Sequence, residues 1–167
     1  YSQSQLETWL SKCGLGFSNP KAILDAILAL SDIYNSGKGS PDIWSKPAYV
    51  AAYLCYFLPL NYLRCRYVLN QCSIKSNKVV DFGAGIGAFT FAILKDGEIR
   101  NADWPQITAF EPSGQARKWM EIILKDLKIP ASKVSVTNQL PNAQELKESA
   151  ILFSYSLNEI GELPAFT

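Results

Sequence analysis

The stretch "VVDFGAGIGAF", Val79 to Phe89, constrains this chain more than any other. Val79, Val80 and Phe82 are β-branched or aromatic and read as a short buried strand. Gly83, Gly85 and Gly87 follow, and Ala88 to Lys95 reads as a helix. A strand, a glycine-rich turn and a helix together form an arrangement that cradles nucleotides. Glycine lets the backbone turn sharply and lets a ligand approach without meeting a Cβ atom. The competing reading is a tight turn that binds nothing; three alternating glycines favour the cradle.

The same alternation continues. Strands are expected at Gln106 to Glu111, Lys133 to Thr137 and Ala150 to Tyr155. A helix is expected over Gly114 to Leu127, with apolar positions at Trp119, Ile122, Ile123 and Leu127. Strands separated by helices imply right-handed crossovers and a mostly parallel sheet. The expected fold is α/β: a Rossmann-like, doubly wound parallel sheet in order 3-2-1-4 over residues 77–167. An α-helical N-terminal region, residues 1–76, precedes it. There, Ser18-Asn19-Pro20 and Ser45-Lys46-Pro47 start helices, Pro59 is expected to break or kink the second near Leu58, and a further helix covers Tyr62 to Leu69.

Composition narrows the chemistry. With 48% hydrophobic residues the chain can bury a core, and a net charge of +1 points to neither nucleic acid nor membrane. It has no histidine, and Cys13, Cys55, Cys65 and Cys72 show no CxxC spacing. No metal site is expected, the usual catalytic base is missing, and the thiols read as reduced, buried and structural. Ala48 to Leu60, the most apolar run, is too short to span a bilayer, so no membrane partner is expected.

Asp81 bears on the ligand. A carboxylate two residues before the first glycine would repel a pyrophosphate through a poorly screened medium, but suits an ammonium group. Glu111, at the end of the second strand, is placed to accept hydrogen bonds from ribose hydroxyls. An amino-acid head at the glycines and a ribose at Glu111 describe S-adenosylmethionine better than NAD. A nicotinamide-dependent oxidoreductase is further disfavoured because no Ser…Tyr-x-x-x-Lys constellation is present.

Asp81-Phe82-Gly83-Ala84-Gly85-Ile86-Gly87 resembles motif I of class I S-adenosylmethionine-dependent methyltransferases, and Phe110-Glu111-Pro112-Ser113 resembles their motif II. The resemblance implies that Asp81, Gly83, Ala84, Gly85 and Gly87 line the methionine part, that Glu111 with Pro112 holds the ribose, and that Asn138 stands near the adenine where an aspartate is usual. Ser154, at the end of strand four, would face the methyl group. Asn158 or Glu159 would either orient a substrate or cap the next helix. No general base is assigned, since methyl transfer from a sulfonium mainly needs alignment.

A narrower resemblance rests on "AAYLCYFLPLNYLRCRYVL" (Ala51 to Leu69), "AFEPS" and "SYSLNEI" (Ser154 to Ile160). Together these look similar to the methyltransferase-like family associated with the small ribosomal subunit of mitochondria and bacteria. The chain departs from that pattern at Phe57, where an arginine would be expected. The family implies an RNA or ribosomal partner and a cytoplasmic or mitochondrial-matrix location. A second function class stays open: a ribosome-assembly or RNA-binding factor that keeps the fold without transferring methyl groups.

Lys46, Arg64, Arg66, Lys75 and Lys78 are interleaved with Trp44, Tyr49, Tyr53, Tyr56, Tyr62 and Tyr67, and no acidic residue lies between Asp42 and Asp81. Such a face can contact RNA phosphates and stack on unpaired bases; alternatively it is a packed helical cap. Finally, methyltransferase sheets normally have seven strands. A chain that begins at Tyr1 and supplies four is expected to be a piece that continues beyond Thr167. Its strand-four edge, with Ile151, Leu152, Phe153 and Leu157, is expected to self-associate or to lie under the N-terminal helices.

Overall fold

A computed structural model describes residues 1–36, 42–72, 74–99 and 104–153. The expected α/β architecture is present. The four strands are β1 (Lys78–Phe82), β2 (Gln106–Phe110), β3 (Val134–Thr137) and β4 (Ala150–Phe153). They form one parallel sheet in the order β3-β2-β1-β4. Val79 to Phe82 of β1 are all buried, Asp81 included, as befits a central parallel strand covered on both faces.

The helices are α1 (Gln3–Lys12), α2 (Pro20–Asn35), α3 (Pro47–Ala52), α4 (Leu58–Gln71), α5 (Ala88–Ile99), α6 (Gly114–Asp126) and α7 (Ala143–Lys147). Ser2 and Gln5 close a capping box at α1, and Asn142 and Glu145 close one at α7. Asn19 precedes Pro20 at the start of α2 without a side-chain cap. Helix α5 extends past the expected Lys95, while β4 is described to Phe153; Ser154, Tyr155 and the rest of 154–167 lie outside the described residues.

One core joins the N-terminal helices to the sheet half. Trp9, Leu10, Val50 and Leu54 pack with Ile86 and Ala88 of the glycine turn and helix start, and with Ala116 and Ile123 of α6. Trp9 is fully buried, and its Nε1 donates to Asp126 Oδ2 at 2.8 Å, fixing α1 against the end of α6.

Pro59 does not end its helix but interrupts its regular winding next to Leu58, where the break or kink is expected. Helices α3 and α4 are joined by a π-helical segment, Tyr53–Phe57, and Leu58 keeps helical dihedrals (φ −60°, ψ −53°). Proline has no N–H to bond four residues back. The turn before it widens instead, so that the Leu58 N–H bonds to the Tyr53 carbonyl. In that register the Leu54 carbonyl faces the proline nitrogen, which carries no hydrogen. The Tyr1 hydroxyl donates to this carbonyl at 3.2 Å.

One further expectation needs amendment. Cys13 and Cys65 are buried free thiols, but Cys55 is half-buried and Cys72 exposed. At the sheet edge, all four β4 residues are half-buried: Ala150 and Leu152 pack on the core, and Phe153 stacks on Phe82 with ring centroids 5.1 Å apart. Among the described residues, no helix is long and apolar enough to cross a membrane.

Candidate functional site

The parallel register brings the predicted residues to one edge. Phe82 of β1 is level with Phe110 of β2 and Phe153 of β4, and Phe110 is level with Thr137 of β3. Gly83, Glu111 and Asn138 therefore leave the sheet at the same carboxyl edge. The crossovers run to opposite sides of β1, and in open α/β sheets ligands bind in the crevice at such a reversal. Ser154 follows Phe153 in sequence but lies outside the described residues.

The loop itself is tightly tied. The Gly83 and Ala84 N–H groups both donate to the Phe110 carbonyl, at 2.9 and 3.1 Å. All three loop glycines have positive φ. At Gly85 (φ +56°) an added Cβ would stand 3.3 Å from Trp44 Cζ2 and 4.0 Å from Tyr53 Oη. At Gly87 (φ +102°) it would stand 2.9 Å from Phe91 Cζ and 3.1 Å from Met120 Cε. The third glycine thus admits helix α5 to the core, whereas Gly85 faces the aromatic residues above the loop.

Asp81 is fully buried. Its Oδ2 accepts from the Thr90 N–H at 3.2 Å and the Thr90 hydroxyl at 2.8 Å. Its Oδ1 is buried with no hydrogen-bond partner. Burial pushes the Asp81 carboxyl up to about 6, against the two Thr90 hydrogen bonds, and the Glu111 charge raises it further. A buried acceptor without a donor is costly, and it suits a ligand bringing an N–H group.

Glu111 is buried beside it. Oε2 accepts from the Gly85 N–H and Oε1 from the Ser113 N–H, both at 2.8 Å. Burial raises its pKa, opposed by these two amides and the Arg117 charge. Each carboxylate oxygen has a second lone pair, so both can still accept from a ligand hydroxyl. Arg117 Nη1 donates to the Glu111 and Pro112 carbonyls at 2.7 Å each, holding the segment after β2. Ala84 is buried, while Pro112 and Asn138 are exposed on the rim.

Three residues at this site escaped the sequence reading as site residues. Thr90 was legible as the one hydroxyl within the apolar run "AFTFAIL". Trp44 and Tyr53 were read only as members of the basic, aromatic N-terminal face. Of the other members of that face, Lys46 stands over the Tyr49 ring at 4.8 Å and Lys78 pairs with Glu148 at 2.6 Å. Arg66 Nη1 donates to the Tyr62 hydroxyl at 3.4 Å, whereas Tyr56, Arg64, Tyr67 and Lys75 remain exposed.

No family model matches the chain, and no curated protein matches it.

Proposed function

We propose that the chain is the S-adenosylmethionine-binding portion of a class I methyltransferase acting on RNA or a ribosomal component. The observation that carries this reading is the unpartnered Oδ1 of buried Asp81, set behind a glycine turn at the sheet's reversal point. That acceptor fits an ammonium group and disfavours a pyrophosphate. Asp81 would hold the amino-acid head and Glu111 the ribose diol, while Gly83, Ala84 and Gly85 would let the backbone approach. Thr90 fixes Asp81 through Oδ2, so that Oδ1 keeps its aim. When bound, the cofactor supplies an electrophilic methyl group on a positively charged sulfur. The RNA acceptor is supported by the exposed Tyr67 and Arg64 on α4.

Side-by-side calorimetric titration with S-adenosylmethionine, S-adenosylhomocysteine and NAD tests the cofactor. The first two are expected to bind and NAD is not; tighter NAD binding would sink the reading. Glu111→Ala is expected to weaken cofactor binding by about 1–3 kcal/mol, the range for hydroxyls left unpaired at a buried site. Methyl transfer from labelled cofactor to ribosomal RNA tests the activity. Binding without transfer would favour the non-catalytic, RNA-binding alternative.

A further inference from the structure

Both carboxylates assigned to the cofactor are closed off from solvent. Asp81 is 0% exposed, its unpartnered Oδ1 included, and Glu111 is 7% exposed. A ligand that brings an N–H to Oδ1, or a hydroxyl to Glu111, has to pass something first. Glu111 Oε2 already holds the Gly85 N–H at 2.8 Å, so a hydroxyl on its second lone pair stands beside Gly85. That space is filled. Trp44 Cζ2 and Cη2, on the edge of the indole, lie 3.3 and 3.7 Å from the position of a Cβ on Gly85.

The aromatic wall over the turn has one tethered member and one loose one. Tyr53 opens the π-helical segment, and its hydroxyl accepts from Asn61 Nδ2 at 3.5 Å. Trp44 comes from a short 3-10 turn, Ile43–Ser45. It meets Tyr53 edge to face, with ring centroids 4.8 Å apart, and remains half-buried. Its Nε1 has no hydrogen-bond partner among the described residues. Trp9, by contrast, is fully buried and latched to Asp126. Ile43, one residue before Trp44, is buried with Ala26, Leu30 and Ala52 and anchors the turn. A rotation of the Trp44 side chain about its own bonds therefore breaks no hydrogen bond and leaves the turn in place. The same turn reaches the carboxylates: the charge of Asp42, which precedes Ile43, adds to the rise in the Glu111 pKa.

We propose that the Trp44 side chain is a gate: lying over Gly85, its indole closes the way to Asp81 and Glu111, and it swings aside to admit S-adenosylmethionine. This rests on the cofactor reading above. A ligand that binds only the open form loses affinity in proportion to how rarely that form is populated. An open form present at about 10% lowers the affinity about tenfold, and at high ligand concentration opening limits the rate of binding. Trimming the indole removes both effects.

The test is binding of S-adenosylmethionine to the 167-residue chain as wild type, Trp44→Phe and Trp44→Ala. Calorimetry gives the affinity, and rapid filtration with labelled cofactor gives the association rate. The rate for wild type is expected to level off as ligand concentration rises. Trp44→Ala is expected to bind about tenfold more tightly, through faster association, with a rate that keeps rising. Trp44→Phe, whose ring is smaller, should gain about two- to threefold, and it decides if Trp44→Ala does not fold. Binding by the variants alone would mean that wild type is held shut, and supports the gate. Weaker binding, unchanged affinity, or tighter binding that comes only from slower dissociation overturns the inference while leaving the cofactor reading standing. No binding by any of the three overturns both.

Discussion

Thr90 donates twice to one oxygen of Asp81: its amide and its hydroxyl both reach Oδ2, at 3.2 and 2.8 Å, and nothing reaches Oδ1. The first turn of α5 therefore grips the carboxylate from one side only. A hydrogen bond to a charged acceptor contributes about 1.5–3 kcal/mol. Thr90→Val, which keeps the shape and removes the hydroxyl, is expected to destabilise the chain by about that much at pH 7. The loss should shrink at pH 5, where Asp81 is largely protonated. Urea unfolding at the two pH values measures the difference, and an equal loss at both would mean the hydroxyl matters for packing alone.

The sign of the Asp81 pH dependence follows from its environment. Its carboxyl moves from 3.8 up to about 6 on folding, chiefly through burial. The folded chain holds the proton more tightly, so the stabilising contribution is complete below 3.8 and is lost as pH rises through about 6. Between pH 7 and pH 5 this group should return about 1–1.5 kcal/mol of stability. Glu111 is shifted in the same direction, while Glu148, lowered by Lys78, works in the opposite one. Comparing wild type with Asp81→Asn isolates the effect. The variant should show a flatter stability profile from pH 4 to 6 and should lose cofactor binding.

Two loop glycines should respond unequally to a methyl group. Gly85→Ala forces a left-handed backbone on alanine, at a cost of about 1–2 kcal/mol, and presses on a Trp44 ring that is only half-buried. Gly87→Ala adds a 2.9 Å clash with Phe91 Cζ to a less favourable φ of +102°, for a loss of about 2–5 kcal/mol. Chemical denaturation ranks them; a milder Gly87→Ala would contradict the packing described.

At the N-terminus, Tyr1→Phe removes the only hydrogen bond described to the Leu54 carbonyl from outside its helix. The residue is half exposed, so the expected loss is about 1 kcal/mol, at the low end for an unsatisfied acceptor. The phenyl ring can keep its edge-to-face contact with Trp9, at 5.0 Å, which confines the change to the hydroxyl. Thermal unfolding of the pair measures it.

The sheet was legible because each strand is a short β-branched or apolar run between helical stretches, and because crossover handedness leaves few arrangements for four such units. Asp81 and Glu111 were legible as carboxylates at strand ends. Less visible was what surrounds them. Thr90, marked in sequence only as the one hydroxyl of its apolar run, belongs to the site because α5 starts immediately behind β1. Trp44 and Tyr53 reach Gly85 across more than 30 residues of chain, and nothing in their immediate neighbours distinguishes them from the other aromatics of that region. Helix α7 is only five residues long and buries none of them, so it carries no apolar periodicity to read. At Pro59 the expectation of a break or kink follows from the missing N–H. The widened turn leaves the Leu54 carbonyl to the Tyr1 hydroxyl, 53 residues away, a partner that no local pattern marks.

That widened turn sets a rotational phase. In a regular α-helix each residue advances about 100° around the axis. Helix α3 must aim Val50 and Ala51 at the core, and α4 must aim Cys65 and Leu69 at α5 and the sheet. The Tyr53–Phe57 segment lets the two halves keep separate angular settings on one continuous rod. Winding the same residues as a regular α-helix would swing everything on its N-terminal side by about 100° relative to α4, an offset that the widened turn absorbs by taking up one extra residue. Tyr53 would then turn away from Gly85 while the sheet, its glycine turn and both carboxylates stayed where they are. The orientation of the aromatic wall is thus fixed by how many residues the helix contains, as much as by which residues they are.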